Sequence, residues 1–134
     1  MDAQQVNLRP MTAAEYEQAT RHREAETAHE LGRFMPADQA RARAREGTAH
    51  FLPDGRDTEG HHLVVAENDA GEAVGNAWIG PDPSRAAGAA ESAWLYDINV
   101  HEPFRRRGYG SAILAAAEEL VARWGKARRF CTRT

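Results

Sequence analysis

The feature that most constrains this chain is a strand, a basic glycine turn and a helix start in immediate succession. Trp94-Leu95-Tyr96-Asp97-Ile98-Asn99-Val100 is an apolar run of strand length. Arg105-Arg106-Arg107-Gly108-Tyr109-Gly110-Ser111 follows it and opens directly into Ala112-Ile113-Leu114-Ala115-Ala116-Ala117-Glu118-Glu119-Leu120-Val121, a helical stretch. The first turn of a helix has backbone N–H groups without internal partners, and the helix dipole adds partial positive charge there. Gly108 and Gly110 let an anion approach the main chain where a Cβ would intrude. Three arginines add charge and forked donors. Such a turn expects a phosphate-bearing ligand.

Ile113, Leu114, Ala117, Leu120, Val121 and Trp124 form one apolar stripe, so the final helix should lie on a sheet, with Gly125 as its stop. Upstream, Val6-Asn7-Leu8-Arg9-Pro10 alternates like a short edge strand ended by proline. Thr12-Ala13-Ala14-Glu15 matches a capping box, with Met11 and Tyr16 placed as a hydrophobic staple. It predicts a helix from about Ala13 to Leu31, with Gly32 beyond it. A second helix should start near Pro36 and run towards Gly47 or Phe51. Arg41, Arg43 and Arg45 on it point in several directions and read as a solvated face. His62 to Glu67 and Ala73 to Ile79 flank Asn68-Asp69-Ala70-Gly71-Glu72, a hairpin signal. Pro81 to Glu91 reads as a connecting loop, and Arg129 to Thr132 as the start of another strand. The order is an α/β (α+β) domain, β-α-α-β-β-β-α-(β), with an antiparallel front half and a parallel crossover behind.

Composition narrows the class. With 134 residues the expectation is one domain over 1–134. Apolar residues make up 42%, and 17 basic against 20 acidic side chains leave a net charge of −3. That balance disfavours a general nucleic-acid or anionic-membrane role, so the arginines serve something local. A single cysteine, Cys131, allows no internal disulfide, and the N-terminus lacks the pattern of a signal peptide. No apolar run approaches the roughly 20 residues of a membrane span. A cytoplasmic protein is expected.

Spacing separates the phosphate-binding motifs. A Walker loop needs a lysine after its second glycine, but Ser111 follows Gly110. A dinucleotide fingerprint needs a small residue where Ile113 stands. The pattern Arg/Gln-x-x-Gly-x-Gly/Ala is met by Arg105, Gly108 and Gly110. Here the chain resembles the GNAT superfamily of N-acetyltransferases. Trp94 to Gly110 looks like that family's fourth strand and acetyl-CoA loop, and the upstream order is similar to its front half.

The resemblance implies a mixed sheet flanked by helices and acetyl-CoA as acyl donor. The donor's pyrophosphate would lie on the amides of Arg106, Arg107, Gly108, Tyr109, Gly110 and Ser111. Its pantetheine arm would pair with strand backbone near Ile98 and Val100. The acceptor would be a primary amine of a small molecule or peptide, and no metal is required. An alkylamine has a pKa near ~10, so a base must help directly or through water. Asp97 and Asn99 share one strand face: Asp97 can act as base or be structural, and Asn99 can orient a water. The Val100 N–H is placed to polarise the thioester carbonyl.

Two departures from the family stand out. An amide, Asn99, occupies a position where many members carry an acidic group. The family's closing helix, with its thiolate-protonating tyrosine, and its last strands find no counterpart before Thr134; Tyr16, Tyr96 and Tyr109 lie in other elements. The chain is thus expected to be C-terminally truncated relative to the family. Two further functions follow from that expectation: a non-catalytic acyl-CoA-binding remnant, and a self-associating domain that pairs an open sheet edge as a homodimer.

The remaining polar residues point to packing. His61 and His62 face opposite ways on a strand and cannot chelate one ion together. His22 and His29 share a helix face with no ligand cluster, Trp78 and Trp94 suit a core, and Cys131 has no partner histidine nearby.

Overall fold

The computed structural model describes residues 4–82 and 93–124. Among them, the elements follow in the order β1 (Asn7–Pro10), α1 (Ala13–Leu31), α2 (Ala37–Phe51), β2 (His62–Glu67), β3 (Ala73–Pro81), β4 (Ala93–Val100) and α3 (Tyr109–Arg123). Short 3-10 turns at Gly55–Asp57 and Glu102–Phe104 complete them. The chain divides into two compact units, Met11–Glu59 and the remainder.

In the first unit the sequence signals act locally. The Thr12 Oγ1 accepts from the Glu15 N–H at 3.2 Å, and the Glu15 carboxylate accepts from the Thr12 N–H at 2.9 Å. This is the capping box, and α1 begins and ends where the pattern placed it. Gly32 donates back to the Ala28 carbonyl at 2.9 Å. Pro36 stands at the N-cap of α2, whose buried face is made of Ala40 and Ala44. Arg41, Arg43 and Arg45 are exposed.

The second unit holds the sheet, in spatial order β1-β2-β3-β4. Every pairing among the described residues is antiparallel. The expected parallel partner at Arg129 to Thr132, the Gly125 stop and most of the Pro81 to Glu91 loop lie outside the described residues. Asn68 organises the β2–β3 hairpin, its Oδ1 accepting from the Ala70 and Glu72 N–H groups at 3.0 and 2.9 Å.

The apolar stripe of α3 covers one sheet face. Ile113, Ala117 and Val121 are fully buried against Val64, Ala66, Ala77, Ile79, Ala93 and Leu95. Leu114, Leu120 and Trp124 border that core. At a rough 25 cal/mol per Å2, each buried branched side chain contributes about 1.5–3 kcal/mol, which holds the start of α3 against the sheet. Gly75 permits the close fit: a Cβ there would meet the Ile113 Cδ1 at 3.0 Å and the Val100 Cα at 3.2 Å.

Candidate active site

The site begins at the end of β4. Trp78 lies opposite Asp97 and Ile79 opposite Leu95, so Tyr96 is an extra residue on β4, a bulge. The bulge shifts the alternation: Ala93 and Leu95 before it belong to the α3-covered core, and Ile98 and Val100 after it are half-buried against the same core. Asp97 and Asn99, opposite Trp78 and Asn76, share the other face, as their two-residue spacing requires.

Backbone direction follows from the ladder. The His101 N–H donates to the Val74 carbonyl at 2.8 Å. Val100 lies opposite Gly75 and Ile98 opposite Ala77. Antiparallel pairs alternate between bonded and non-bonded, so Ile98 and Val100 turn their N–H and C=O groups away from β3. Among the described residues, β4 pairs with β3 alone.

The strand then passes into the basic turn. The Phe104 and Arg105 N–H groups are used, donating to the His101 and Glu102 carbonyls at 2.9 and 3.2 Å. Arg106 takes a left-handed conformation with φ 65°, and Gly108 one with φ 86°. Two left-handed residues so close together bend the chain sharply into α3. The next intrahelical bond is Ala112 N–H to the Gly108 carbonyl at 3.2 Å. Between them, the N–H groups of Arg106, Arg107, Gly108, Tyr109, Gly110 and Ser111 meet no acceptor among the described residues. Of the three described α-helices, α1 is capped by side chains at its start, whereas α2 and α3 have no side-chain cap, and the N-cap of α3, Gly108, has no side chain to offer. Six main-chain donors in a row suit an anion with several oxygens.

The three arginines differ. Arg105 Nε donates to the Val100 carbonyl at 2.8 Å. The Arg107 guanidinium lies over the Phe104 ring, 5.8 Å from its centroid. Arg106 makes neither kind of contact among the described residues.

A sequence model of the acetyltransferase (GNAT) family matches residues 17–134. The chain belongs to the GNAT acetyltransferase family. It is 29% identical over 124 residues to the uncharacterized N-acetyltransferase YycN of Bacillus subtilis, covering 90% of this chain and 76% of YycN. The crystal structure of YycN superposes with a TM-score of 0.83 at 25% identity, over 96% of this chain and 81% of that one. The GNAT protein YhbS of Escherichia coli, solved in complex with CoA, shares the fold at a TM-score of 0.51 and 17% identity, over 95% of this chain and 62% of that one.

Within this GNAT domain, the expected site residues fall together at one end of the sheet. Ile98 and Val100 present backbone outward, and residues 106–111 follow across the turn. The Tyr109 side chain, however, is turned into the core. It is 7% exposed, packs edge-on against Phe104 at 5.9 Å, and its hydroxyl lies 3.5 Å from the Asn68 amide. Only its N–H remains for a ligand. Gly110 brings the first turn of α3 beside Val100, whose Cγ2 would lie 3.9 Å from an added Cβ.

Sequence reasoning missed a polar cluster on the Asp97 face. Trp78 Nε1 donates to His61 Nδ1 at 2.9 Å, and Tyr96 stacks on Trp78 at 4.7 Å with its hydroxyl on the Pro81 carbonyl at 2.6 Å. Gly80 leaves the room that the His61 and Tyr96 rings occupy. Burial, and then the neighbouring His62, push the His61 pKa below its ordinary 6.5. The Trp78 bond agrees, since an acceptor at Nδ1 makes His61 a neutral imidazole carrying its proton on Nε2. His62 faces the other way, stacking on Trp124 at 4.1 Å. No sequence signal announced the His61–Trp78 pair, because 17 residues and a hairpin separate its members.

Proposed function

We propose that this chain transfers an acetyl group from acetyl-CoA to a primary amine of a small molecule or peptide. The observation that carries this is the run of six main-chain donors from Arg106 to Ser111 at the uncapped start of α3. It supplies what a pyrophosphate needs, and the outward N–H and C=O groups of β4 offer an amide-bearing arm a strand to pair with. The CoA held by YhbS supports the same choice of donor.

In this reading the acyl carbon lies beside the end of β4. The Val100 N–H donates to the thioester oxygen as negative charge develops on it. The amine nitrogen attacks the carbonyl carbon, the C–S bond breaks as the carbonyl re-forms, and the leaving thiolate takes up a proton from water. Asp97 accepts the amine's proton through a water that Asn99 orients, both side chains standing on one face of β4.

The test has two stages. Isothermal titration should show acetyl-CoA binding, with free adenosine much weaker. Thiol release from acetyl-CoA across a panel of small amines and amine-ended peptides should then show steady turnover. Failure to bind acetyl-CoA at millimolar concentration refutes the proposal; binding without thiol release identifies an acyl-CoA-binding remnant instead.

A further inference from the structure

We propose that Arg105 is a positioning residue that acts through the Val100 carbonyl, rather than a ligand of the donor's phosphates. The inference rests on the acetyl-CoA function proposed above and assigns one residue within it. Arg105 follows Val100 by five residues, and its Nε donates to the Val100 oxygen at 2.8 Å. That oxygen is one of the groups that β4 turns away from β3. Three backbone bonds tie the strand-to-loop junction: His101 to Val74, Phe104 to His101, and Arg105 to Glu102. The Arg105 side chain adds a further tie, and among the described residues it is the hydrogen bond that joins the loop to the last residue of β4.

The bond has two consequences for a ligand. The guanidinium offsets the partial negative charge of the Val100 oxygen on the outward edge of β4, along which the donor would lie. The bond also closes the loop before the Arg106 turn begins. The six N–H groups beyond it are therefore aimed before the ligand arrives, which lowers the ordering cost of binding. Nε, the atom bonded to Cδ, is already committed to Val100. The neighbouring Arg106 guanidinium, free of such a bond, is the better candidate for direct charge contact.

Side-chain geometry gives a test that separates the two roles. Gln carries its amide nitrogen on Cδ, at the same place along the side chain as the Arg Nε, but has no charge. Lys keeps the charge and places its nitrogen one atom farther out. Acetyl-CoA binding should be measured by isothermal titration for the wild type and for Arg105→Ala, Arg105→Gln and Arg105→Lys, with thermal unfolding of each. Loss of one charge-assisted hydrogen bond predicts about a tenfold weaker Kd for Arg105→Ala. Arg105→Gln should stay within about threefold of the wild type, and Arg105→Lys should resemble Arg105→Ala. The dependence of Kd on salt should keep the wild-type slope in Arg105→Gln, since no phosphate contact is lost.

Any other order overturns the proposal. Rescue by Lys and not by Gln assigns Arg105 to the phosphates, and equal binding by all four proteins means the bond has no bearing on the donor. Should Arg105→Ala fail to fold, the Gln and Lys variants decide alone. A wild type that does not bind acetyl-CoA at all refutes the function itself, a result distinct from every pattern among the variants.

Discussion

Replacing Gly75 by alanine adds one methyl group at the tightest point between sheet and helix. The new Cβ would press into the Asn99 carbonyl oxygen, well inside contact distance, and would meet the Ile113 Cδ1 at 3.0 Å and the Val100 Cα at 3.2 Å. Two of these three neighbours are backbone, which cannot rotate away as a side-chain tip can. Overpacking of this kind costs about 2–3 kcal/mol. For a domain of this size that is a fall in Tm of roughly 6–15 °C. Gly47, in the exposed part of α2, is the control: a Cβ there meets nothing within 4 Å. Gly47→Ala should stabilise by about 0.5–1 kcal/mol through helix propensity alone. The same chemical change thus has opposite signs at the two positions. Urea unfolding followed by circular dichroism measures both. Because β4 yields where Val100 lies, Gly75→Ala should also weaken acetyl-CoA binding more than its lost stability explains. If Gly75→Ala unfolds at the wild-type midpoint, the close approach of β3, β4 and α3 is wrong.

Three further outcomes are expected. The lowered pKa of His61 means that the folded protein binds fewer protons than the unfolded chain just below 6.5. Its contribution to stability is complete above 6.5 and is lost as pH falls through the lowered value. His61→Asn keeps an acceptor at the same position for Trp78, so its unfolding midpoint should fall less than the wild type's between pH 7 and pH 5; parallel curves would refute this. Gly108→Asn retains a residue that tolerates φ 86°, and its Cβ meets only the Gln4 Cγ at 3.7 Å. It should unfold within about 1 kcal/mol of the wild type while acetyl-CoA affinity drops at least about tenfold, whereas Gly108→Val should lose stability as well. Thr12→Ala removes one arm of the capping box and should cost about 1 kcal/mol in chemical denaturation. Glu15→Ala added to it should cost less than it does alone, since the two bonds are reciprocal.

Most elements of this GNAT domain were legible because their signals are local. A capping box, a proline at a helix start, an apolar stripe of period 3.6 and a glycine-bearing hairpin each act within a few residues, so the chain displays them in order. The basic turn was legible for the same reason: strand, glycines and helix start are contiguous, and their orphan N–H groups follow from backbone geometry alone. Other features depended on residues meeting across the sheet. The bulge at Tyr96 exists only relative to β3, and it decides which β4 side chains join the core and which share a face with Asp97. Gly75 gave no turn signal; its role appears only where Asn99, Val100 and Ile113 converge on it. The Arg105 bond to Val100 was equally hidden, since nothing in a run of three arginines says which one turns back to the strand. Sequence patterns encode what one segment needs for itself, whereas pairing register and close packing are settled by segments distant along the chain. That is why the run of main-chain donors at the start of α3 could be read from the residues in order, and the bond that sets Arg105 apart from its neighbours could not.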